Sequence, residues 1–334
     1  MALVPPDIAE AVARLKAGGV VAFPTETVYG LGADALREEA VARVFALKGR
    51  PSRNPLIVHV LDEAMARSCA SEWTDEVSRL AGAFWPGPLS IVVPKAMHIP
   101  SLVTAGGPTV ALRSPDHPVA LALLAAFGGP IVGPSANPSG RVSPTTAEHV
   151  QEAFDARDVF VLDGGPCRTG IESTVIAIEG GGIRILRPGV IGAEAIARVL
   201  ATEVVALGES DSETTRSPGL IGPHYAPRAR VVLFDDRSWP VLVNEAPREP
   251  GENLRPWMVV LSLRARSGPS GVVTMAMPRS AGEYARRLYA ALREADALSP
   301  TIIGVERPHG EGTLEERAIW EAVMDRLRRA AEGV

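Results

Sequence analysis

Hydrophobic and polar residues follow two different periods along this chain, and together they predict an α/β fold. Short, almost wholly apolar runs at 20–23 and 56–60 have the length of buried strands. Segments between such runs, for example 38–47, carry apolar residues three and four positions apart, which is typical of amphipathic helices. The same patterns predict strands at 89–93, 109–112, 131–132, 159–163, 173–178 and 183–186, and helices at 75–84, 119–127 and 193–200.

Turn and cap residues predict where several of these elements begin and end. Asp7 is expected to cap a first helix that ends at a glycine pair. Gly30 and Gly32 are expected to form the exit turn after the first strand, because glycine suits tight turns. Residues 145–148, Thr-Thr-Ala-Glu, resemble a capping box at the start of another helix.

A change of composition divides the chain into two α/β parts. Residues 206–230 are polar, rich in glycine and proline and weakly periodic, as linkers are. We therefore predict a first domain over 1–205, a linker over 206–230 and a second, smaller α/β domain over 231–334. In the second domain, strands are predicted at 231–234, 258–261, 272–275 and 302–305, and helices at 281–297 and 313–330.

The composition indicates a soluble globular protein, since 46% of the 334 residues are hydrophobic and 22% are charged. The net charge of −5 provides no overall positive field, so any RNA contact is expected to be weak and local. Cys69 and Cys167 lack the spacing of a zinc site or a disulfide framework. No signal peptide is evident, and the longest apolar run, 119–127, is too short to span a bilayer. We expect a cytoplasmic protein without a membrane partner.

Lys48 is the first candidate functional residue, because the chain contains only two other lysines, Lys16 and Lys95. It follows a predicted helix and lies close to Arg50 and Asn54. Lysine is a compact charge suited to a phosphate, and arginine offers a planar fork for phosphate or carboxylate. The alternative is a cation that interacts with the dipole at the end of its own helix. The Lys48 and Arg50 side chains are expected to end in solvent or ligand and not in the core.

Common nucleotide and metal motifs are missing from the chain. No lysine follows a glycine, which excludes a P-loop, and the GxGxxG, HExxH and CxxC motifs are absent. No dedicated metal site is therefore predicted. The remaining polar loops suit a nucleotide triphosphate bound without a P-loop, beside a small polar co-substrate, where the loops meet at one edge of the sheet. These loops carry Lys48, Arg50, Asn54, Arg113, Ser135, Asn137, Ser143, Ser173 and Arg187.

Each of these residues also has a purely structural interpretation. His59 lies in a predicted strand, where its ring nitrogens can be satisfied by neighbouring protein groups. The others can be turn or cap residues (Ser135, Ser143), a solvated carboxylate (Glu172), or partners of surface acids (Arg113, Arg187). Taken together, these interpretations are weaker than they are singly, because every polar loop adjoins a predicted strand.

Several motifs, in order, resemble the long form of the threonylcarbamoyl-AMP synthases. They are PTETVYGLG, KGRPSRNPLIVHV, FWPGPLS, ALRSPDHPVA, PSANPSGRVSPTTAEHV, GGPCRTGIESTV, LRPG and SPGLIGPHYAP, and they span residues 20–227. The resemblance implies a YrdC-like domain, a twisted open mixed sheet with flanking helices. A linker and a smaller Rossmann-like α/β domain are implied to follow it.

The resemblance also implies an activity and its partners. Members of this family are nucleotidyltransferases that convert L-threonine, bicarbonate or CO2, and ATP to threonylcarbamoyl-AMP and pyrophosphate. Mg2+ accompanies the ATP. The product supplies a modified adenosine in tRNA, so machinery that transfers the threonylcarbamoyl group to tRNA is the implied downstream partner.

Roles for individual residues are implied by the matching motifs. Lys48 and Arg50 are the implied catalytic residues, facing the triphosphate. The residues implied around the nucleotide are Asn54, Thr109, Ser135, Asn137, Ser143, Arg187 and Tyr225, and those around L-threonine are Thr27, His59, Arg113 and Ser173.

The linker is expected to do more than connect two domains. Prolines flank His224-Tyr225 and stiffen the segment, and Tyr225 offers a broad ring with a polar tip. We predict that residues 217–227 fold back over the first domain as a lid that shields a hydrolysable adenylate. The chain departs from the family here, because residues 220–223 (Leu-Ile-Gly-Pro) replace the basic residues that usually precede HYAP.

Two alternative functions come from other classes of protein. One is a carbamoyltransferase of the hydrogenase-maturation kind, which shares a YrdC-like module but carries zinc-finger and acylphosphatase-like segments that are not seen here. The other is a non-catalytic RNA-binding module. The acidic net charge and the lack of interleaved aromatic residues argue against it.

Overall fold

The computed structural model describes residues 6–179, 182–201, 204–206, 224–244, 255–266 and 268–332. Within these ranges the chain forms two compact units. The first contains residues up to 139 together with 143–206, and the second contains 140–142 together with the chain from 224 onward. The domain boundaries at 205 and 231 stay a prediction, because 207–223 lies outside the described residues.

The first unit is a mixed sheet with flanking helices, as predicted. The described strands are β1 (Val20–Phe23), β2 (Gly30–Asp34), β3 (Ile57–His59), β4 (Leu89–Pro94), β5 (Thr109–Arg113), β6 (Ile131–Val132), β7 (Val159–Val161), β8 (Thr174–Glu179), β9 (Gly182–Arg187) and β10 (Val204–Ala206). The described helices are α1 (Pro6–Lys16), α2 (Glu38–Lys48), α3 (Glu63–Cys69), α4 (Asp75–Phe84), α5 (Pro118–Phe127), α6 (Ala147–Gln151) and α7 (Ala193–Leu200).

The strands of this sheet follow the order β10-β9-β8-β4-β5-β3-β6-β2-β1-β7. Parallel pairs such as β3/β5 and β4/β8 alternate with antiparallel pairs such as β4/β5 and β3/β6. Alternate residues of the central strands pack on opposite faces. Val58 and Leu112 belong to the main core, whereas Ile57 and Ala111 belong to a smaller apolar cluster.

The sequence interpretation of Gly30 and Gly32 as an exit turn is wrong, because both residues lie in β2. They pair with Phe23 and Val21 of the antiparallel strand β1. A Cβ atom on Gly32 would lie 2.9 Å from the Phe23 ring and 3.0 Å from a methyl group of Ile131. The missing side chains therefore let the Phe23 ring lie against the sheet.

Two predicted helix caps are also wrong. Asp7 lies in the first turn of α1 and not before it, so its carboxylate complements the helix dipole. Helix α6 is capped by Thr146, which accepts from the backbone N–H of His149. Because the third helical residue is thus a histidine and not Glu148, no capping box forms there. Among the described residues, a capping box joins Thr313 and Glu316 at the last helix.

The second unit is a smaller α/β unit, as predicted. Its described strands are β11 (Arg230–Phe234), β12 (Met258–Ser262), β13 (Val272–Ala276) and β14 (Ile302–Glu306), and its described helices are α8 (Trp239–Asn244), α9 (Ala281–Ala297) and α10 (Leu314–Ala331). The strands are all parallel and follow the order β11-β14-β12-β13.

Within the described ranges of both units, no helix has the length and apolar character needed to cross a membrane.

Candidate active site

The candidate site lies on one face of the central strands of the first unit. In the parallel pair β3 and β5, His59 stands opposite Arg113 and Ile57 opposite Ala111. Because residues two apart in a strand point to the same side, all four share that face. The neighbouring strands β4, β8 and β9 extend this face in two rows of paired residues. One row contains Ser90, Val175 and Arg187, and the other contains Ala111, Val92 and Ala177. The result is an apolar floor bordered by polar residues, as small-molecule sites have.

Arg113 is held at the end of β5 by a buried ion pair with Glu26. Its Nη2 lies 2.7 Å from Glu26 Oε2, and neither side chain is more than 5% exposed. Its Nε donates to the carbonyl of Gly87 at 3.2 Å. The Oε1 atom of Glu26 has no hydrogen-bond partner in the described chain. The interpretation that Arg113 pairs with a surface acid is therefore wrong, because its partner is buried. The free Oε1 atom of Glu26 is available to a cationic group of a ligand.

The loop that carries Glu26, after β1, is folded tightly on itself. The Thr25 and Thr27 hydroxyls lie 2.8 Å apart, and Thr25 donates to the carbonyl of Val28 at 2.6 Å. The backbone N–H groups of Thr27 and Val28 in turn donate to the Thr25 hydroxyl oxygen. This turn fixes Glu26 between two buried threonines directly after β1.

His59 is buried beside Arg113 with two unsatisfied ring nitrogens. It is 2% exposed, and neither Nδ1 nor Nε2 has a hydrogen-bond partner among the residues that the structure describes. A Cβ atom on Gly133 would lie 2.5 Å from Nδ1, so only glycine leaves room for the ring. Burial, and then the charge of Arg113, lower the pKa of His59 well below its usual value. The interpretation of His59 as a satisfied strand residue is wrong; it is a neutral ring with free polar atoms.

This lowered pKa predicts that acid destabilises the protein through His59. The unfolded chain takes up the proton below a pH of about 6.5, whereas folded His59 resists it. The contribution of His59 to the free energy of unfolding is therefore largest above that pH. It decreases as the pH falls further, by up to about 1.4 kcal/mol per pH unit. We expect His59→Gln to lose less stability between pH 7 and pH 5 than the unsubstituted protein in urea titrations. The exposed His98→Gln is the matched control; equal losses in all three proteins would contradict the assignment.

Lys48 is buried, contrary to the expectation that it ends in solvent or ligand. It is 3% exposed, and its Nζ donates to the carbonyls of Ser135 and Asn137, each at 2.5 Å. Its own carbonyl accepts from the N–H of Ser139 at 2.7 Å. Burial, reinforced by the charge of Arg50, lowers the pKa of Lys48 well below its usual value. Lys48 therefore fixes the 135–139 loop from beneath.

Arg50, Asn54 and Thr109 lie at the opposite end of β3 and β5 from His59 and Arg113. Arg50 follows the left-handed residue that ends α2 and donates to the carbonyls of Asn54 (3.2 Å) and Pro55 (2.9 Å). Thr109 begins β5 and Arg113 ends it, so about 13 Å separates them along the strand. The expectation that all polar loops meet at one edge of the sheet is thus corrected: the predicted residues come from both ends of the strands.

Ser173 and Arg187 meet on the other flank of the same face. The Arg187 guanidinium donates to the Ser173 carbonyl at 2.9 and 3.1 Å and to its hydroxyl at 3.0 Å. The Ser173 and Ser90 hydroxyls lie 2.8 Å apart. Nearby in sequence, Ser143 donates to Glu172 Oε1 at 2.7 Å with both side chains buried, so the interpretation of Glu172 as a solvated carboxylate is wrong.

Tyr225 belongs to the second unit and is packed within it. Its side chain is 5% exposed and stacks on Tyr289 at 5.6 Å, while the guanidinium of Arg326 lies over the ring, also at 5.6 Å. Its backbone is in the left-handed region, with φ of 64°. Contact of Tyr225 with ATP stays a prediction. The rest of the predicted lid, 217–223, lies outside the described residues.

Sequence reasoning missed Glu26 and Ser90 as site residues. Glu26 had a signal, since it is a carboxylate between two threonines directly after a strand. Its partner Arg113 is far away in sequence, and no local pattern can show that pairing. Ser90 lies inside an apolar strand, and only the register of β4 with β8 reveals it.

The described side chains include no group of three or more His, Cys, Asp or Glu that could hold a metal ion.

Two family models match the chain in succession. One, described as "Telomere recombination" and named Sua5_yciO_yrdC, matches residues 13–189. The other, described as "Threonylcarbamoyl-AMP synthase, C-terminal domain", matches residues 191–332. The mixed sheet and its polar face are therefore those of a YrdC-like α/β protein. The chain belongs to the threonylcarbamoyl-AMP synthase family, in its two-domain form.

Curated and solved relatives extend over nearly the whole chain. The threonylcarbamoyl-AMP synthase of Pyrococcus abyssi is 38% identical over 95% of this chain and 92% of that protein. That of Bacillus subtilis is 39% identical over 98% of this chain and 94% of that protein. A crystal structure of the P. abyssi protein complexed with L-threonine matches with a TM-score of 0.86 and 38% identity, over 97% of this chain and 94% of that one.

Proposed function

We propose that the protein is an L-threonylcarbamoyladenylate synthase, a cytoplasmic nucleotidyltransferase. It forms threonylcarbamoyl-AMP and pyrophosphate from L-threonine, bicarbonate or CO2, and ATP as its magnesium complex. The observation that carries the proposal is the pair of unsatisfied buried groups, His59 and Glu26 Oε1, beside Arg113. They suit a zwitterionic amino acid, and they lie on a face that also reaches a cationic loop. The product would pass to the machinery that modifies tRNA, with at most weak local RNA contact by this chain.

The threonine end of the site follows from charge and hydrogen-bonding capacity. Arg113 offers guanidinium donors to the amino-acid carboxylate, and Glu26 Oε1 faces no competing donor from the described residues. We infer that Glu26 accepts from the threonine amino group. The hydroxyls of Thr27 and Ser173 and the neutral ring of His59 supply further polar contacts. A neutral imidazole can either donate or accept, which suits a hydroxyl-bearing substrate.

The nucleotide end is assigned to the other half of the face. Lys48 and Arg50 would face the triphosphate, and Asn54, Thr109, Ser135, Asn137, Ser143 and Arg187 would surround the nucleotide. Among these, Arg187 lies towards the threonine end, because it donates to Ser173. In support, Lys48 donates to the carbonyls of Ser135 and Asn137 and so holds this loop in one conformation. The distance of about 13 Å between the two ends of β5 suits an amino acid joined to a nucleotide.

The chemistry needs positioning and charge neutralisation more than covalent catalysis. The neutral threonine amine adds to carbon dioxide and loses a proton, or reacts with bicarbonate and releases water, and either route gives a carbamate. A carbamate oxygen then attacks the α-phosphorus of ATP, and the bond from that phosphorus to the departing pyrophosphate breaks. Lys48 and Arg50 would stabilise the negative charge that develops on the phosphate oxygens. They would share this role with a magnesium ion bound by the ATP phosphates, which would supply further positive charge at the leaving pyrophosphate.

Pyrophosphate release tests this function. We expect release from ATP to require both L-threonine and bicarbonate, and the nucleotide product to have the mass of AMP joined to a threonylcarbamoyl group. L-Valine matches threonine in shape but lacks the hydroxyl, so it should support much slower release. Release at the same rate with or without threonine would refute the proposal.

A further inference from the structure

A cavity lies in the second unit, at the carboxyl ends of its parallel strands. Its volume is about 370 Å³, and it is lined by Leu263, Arg264, Arg279, Glu306, His309 and Trp320. Strand β12 ends at Ser262 and β14 at Glu306, and these two strands are neighbours. In the sheet, β13 lies on one side of β12, whereas β14 and β11 lie on its other side. The direction in which successive strands are added therefore changes between β12 and β14, beside the cavity. Open α/β sheets bind ligands at such a point.

The acidic residue of the cavity is already saturated by protein donors. Glu306 Oε2 accepts from the Ser262 hydroxyl (2.5 Å) and the Leu263 N–H (2.9 Å), and Oε1 accepts from Arg264 and Arg266. Burial raises the pKa of Glu306, but these hydrogen bonds outweigh it and lower the pKa to about 2. Glu306 is therefore an anion whose two oxygens are already engaged. Together with Asp236, which pairs with the same two arginines, it balances the charges of Arg264 and Arg266.

Arg279 is different, because its charge has no acidic partner in the described chain. Its Nε donates to the carbonyl of Leu263 at 3.3 Å, which orients the guanidinium at the cavity and leaves the terminal nitrogens for another acceptor. His309 lines the same cavity from the loop after β14. The two side chains give the cavity donors without matching acceptors, which favours an anionic ligand.

Helix α9 begins directly after Arg279 and has no side-chain cap. Its N-cap Ser280 donates to Glu283 at 2.8 Å instead of accepting from a backbone N–H. The first N–H groups of this 17-residue helix are thus open to an anion, in the positive end of the helix dipole. Glu283 is the acidic group that opposes an anion here, and its bond to Ser280 ties down one of its oxygens.

Gly282, in the first turn of α9, has no structural explanation. It does not need a left-handed backbone, and a Cβ atom there would meet nothing within 4 Å. Glycine in a helix costs about 1 kcal/mol relative to alanine, so packing and stability both favour alanine. A glycine is useful where a ligand must approach the backbone closely.

A buried polar group next to one of the cavity's lining residues is also left without a partner in the described chain. Tyr284 lies one turn into α9 and is fully buried, and its hydroxyl has no hydrogen-bond partner in the part of the chain that the structure describes. Its ring packs edge-on against Trp320, which lines the cavity, at 5.3 Å. Burial and the charge of Glu306 both raise the pKa of Tyr284, so it stays a neutral donor close to the cavity.

We propose that this cavity binds a small organic phosphate of about mononucleotide size, with the phosphate at the N-terminus of α9 and within reach of Arg279 and His309. The volume is at the lower end of the range for small-molecule sites, about 300–1,000 Å³. The site is separate from the proposed synthase face and does not depend on that assignment.

Hydrogen–deuterium exchange of the full-length protein tests the proposal locally. AMP, and inorganic phosphate more weakly, should slow exchange of the amides at 281–284, whereas adenosine should not. If AMP also occupies the first unit, that binding protects other peptides, so the two sites are read separately. Unchanged exchange at 281–284 with saturating AMP and phosphate would overturn the proposal.

Three variants separate binding from structure. Arg279→Gln should weaken the AMP effect about tenfold, as expected for the loss of a charge-assisted contact. Gly282→Ala should weaken it as well, although it raises the melting temperature by favouring the helix. Arg287→Gln removes the same charge from a position within α9, where Arg287 pairs with Glu294, and should leave AMP binding unchanged. Equal AMP effects in all three variants would refute the phosphate site.

Discussion

Replacement of Lys48 by methionine is expected to reduce synthase turnover about 100- to 1,000-fold, since a buried charge that stabilises a transition state contributes about 3–4 kcal/mol. Two physical losses combine in this variant. A buried amine disappears from the site, and the carbonyls of Ser135 and Asn137 lose their shared donor. Both losses act on the loop assigned to the nucleotide. The measurement is threonine-dependent pyrophosphate release at saturating ATP.

The burial of Lys48 also changes what is expected of its stability. Methionine fills a similar volume but takes a buried donor away from two carbonyls, at up to about 1–3 kcal/mol each, while it removes the desolvation cost of the ammonium group. The Ser135 carbonyl keeps the backbone N–H of Asn137 as a donor, at 3.0 Å. These two contributions to the free energy of unfolding oppose each other. The melting temperature should therefore change little, whereas the turnover falls strongly. Lys16→Met, on the exposed end of α1, is the matched control and should keep full activity. Near-normal turnover of Lys48→Met would move the nucleotide away from this loop.

The elements that the sequence predicted well are those whose apolar pattern has one interpretation. Helix α7 lies at its predicted bounds, because its apolar residues recur at helical spacing between clear turn residues. Strand β2 was missed because Gly-Leu-Gly suggests a turn, whereas the glycines make room for Phe23. The short β10 and α8 were missed for a different reason. Three residues, or a helix with proline near its start, give too little periodicity to detect.

The sequence indicated which residues could form the site, but not which residues they contact. Rare residue types and strand-adjacent loops drew attention to Lys48 and Arg113, and the family resemblance added Thr109 and Tyr225. The partners of these residues depend on strand register and on contacts across the sheet, which no local pattern encodes. The ion pair of Arg113 with Glu26 and the clamp of Lys48 on the 135–139 loop are the clearest examples.

Loss of Arg113 is expected to have the second large effect, on both stability and threonine use. Arg113→Ala leaves the Glu26 carboxylate buried without its cation, which should cost about 3–5 kcal/mol of unfolding free energy. Arg113→Lys keeps the charge but loses the planar fork, so it should be milder and mainly raise the threonine concentration needed for half-maximal rate. Urea unfolding and threonine titrations of the same preparations measure the two effects.

A double-mutant cycle with Glu26→Gln separates the two roles of Arg113. If the stability loss of Arg113→Ala comes from an unpaired buried carboxylate, neutralising Glu26 should recover much of it, so that the combined loss is smaller than the sum. Activity should not recover, because the double variant lacks both the carboxylate-binding fork and the negative charge that attracts the threonine amine, although the glutamine oxygen can still accept a hydrogen bond. Recovery of stability without activity would place both residues in the threonine site. Recovery of threonine use along with stability would show instead that Arg113 only neutralises Glu26, and the carboxylate of threonine would then have to bind elsewhere on this face.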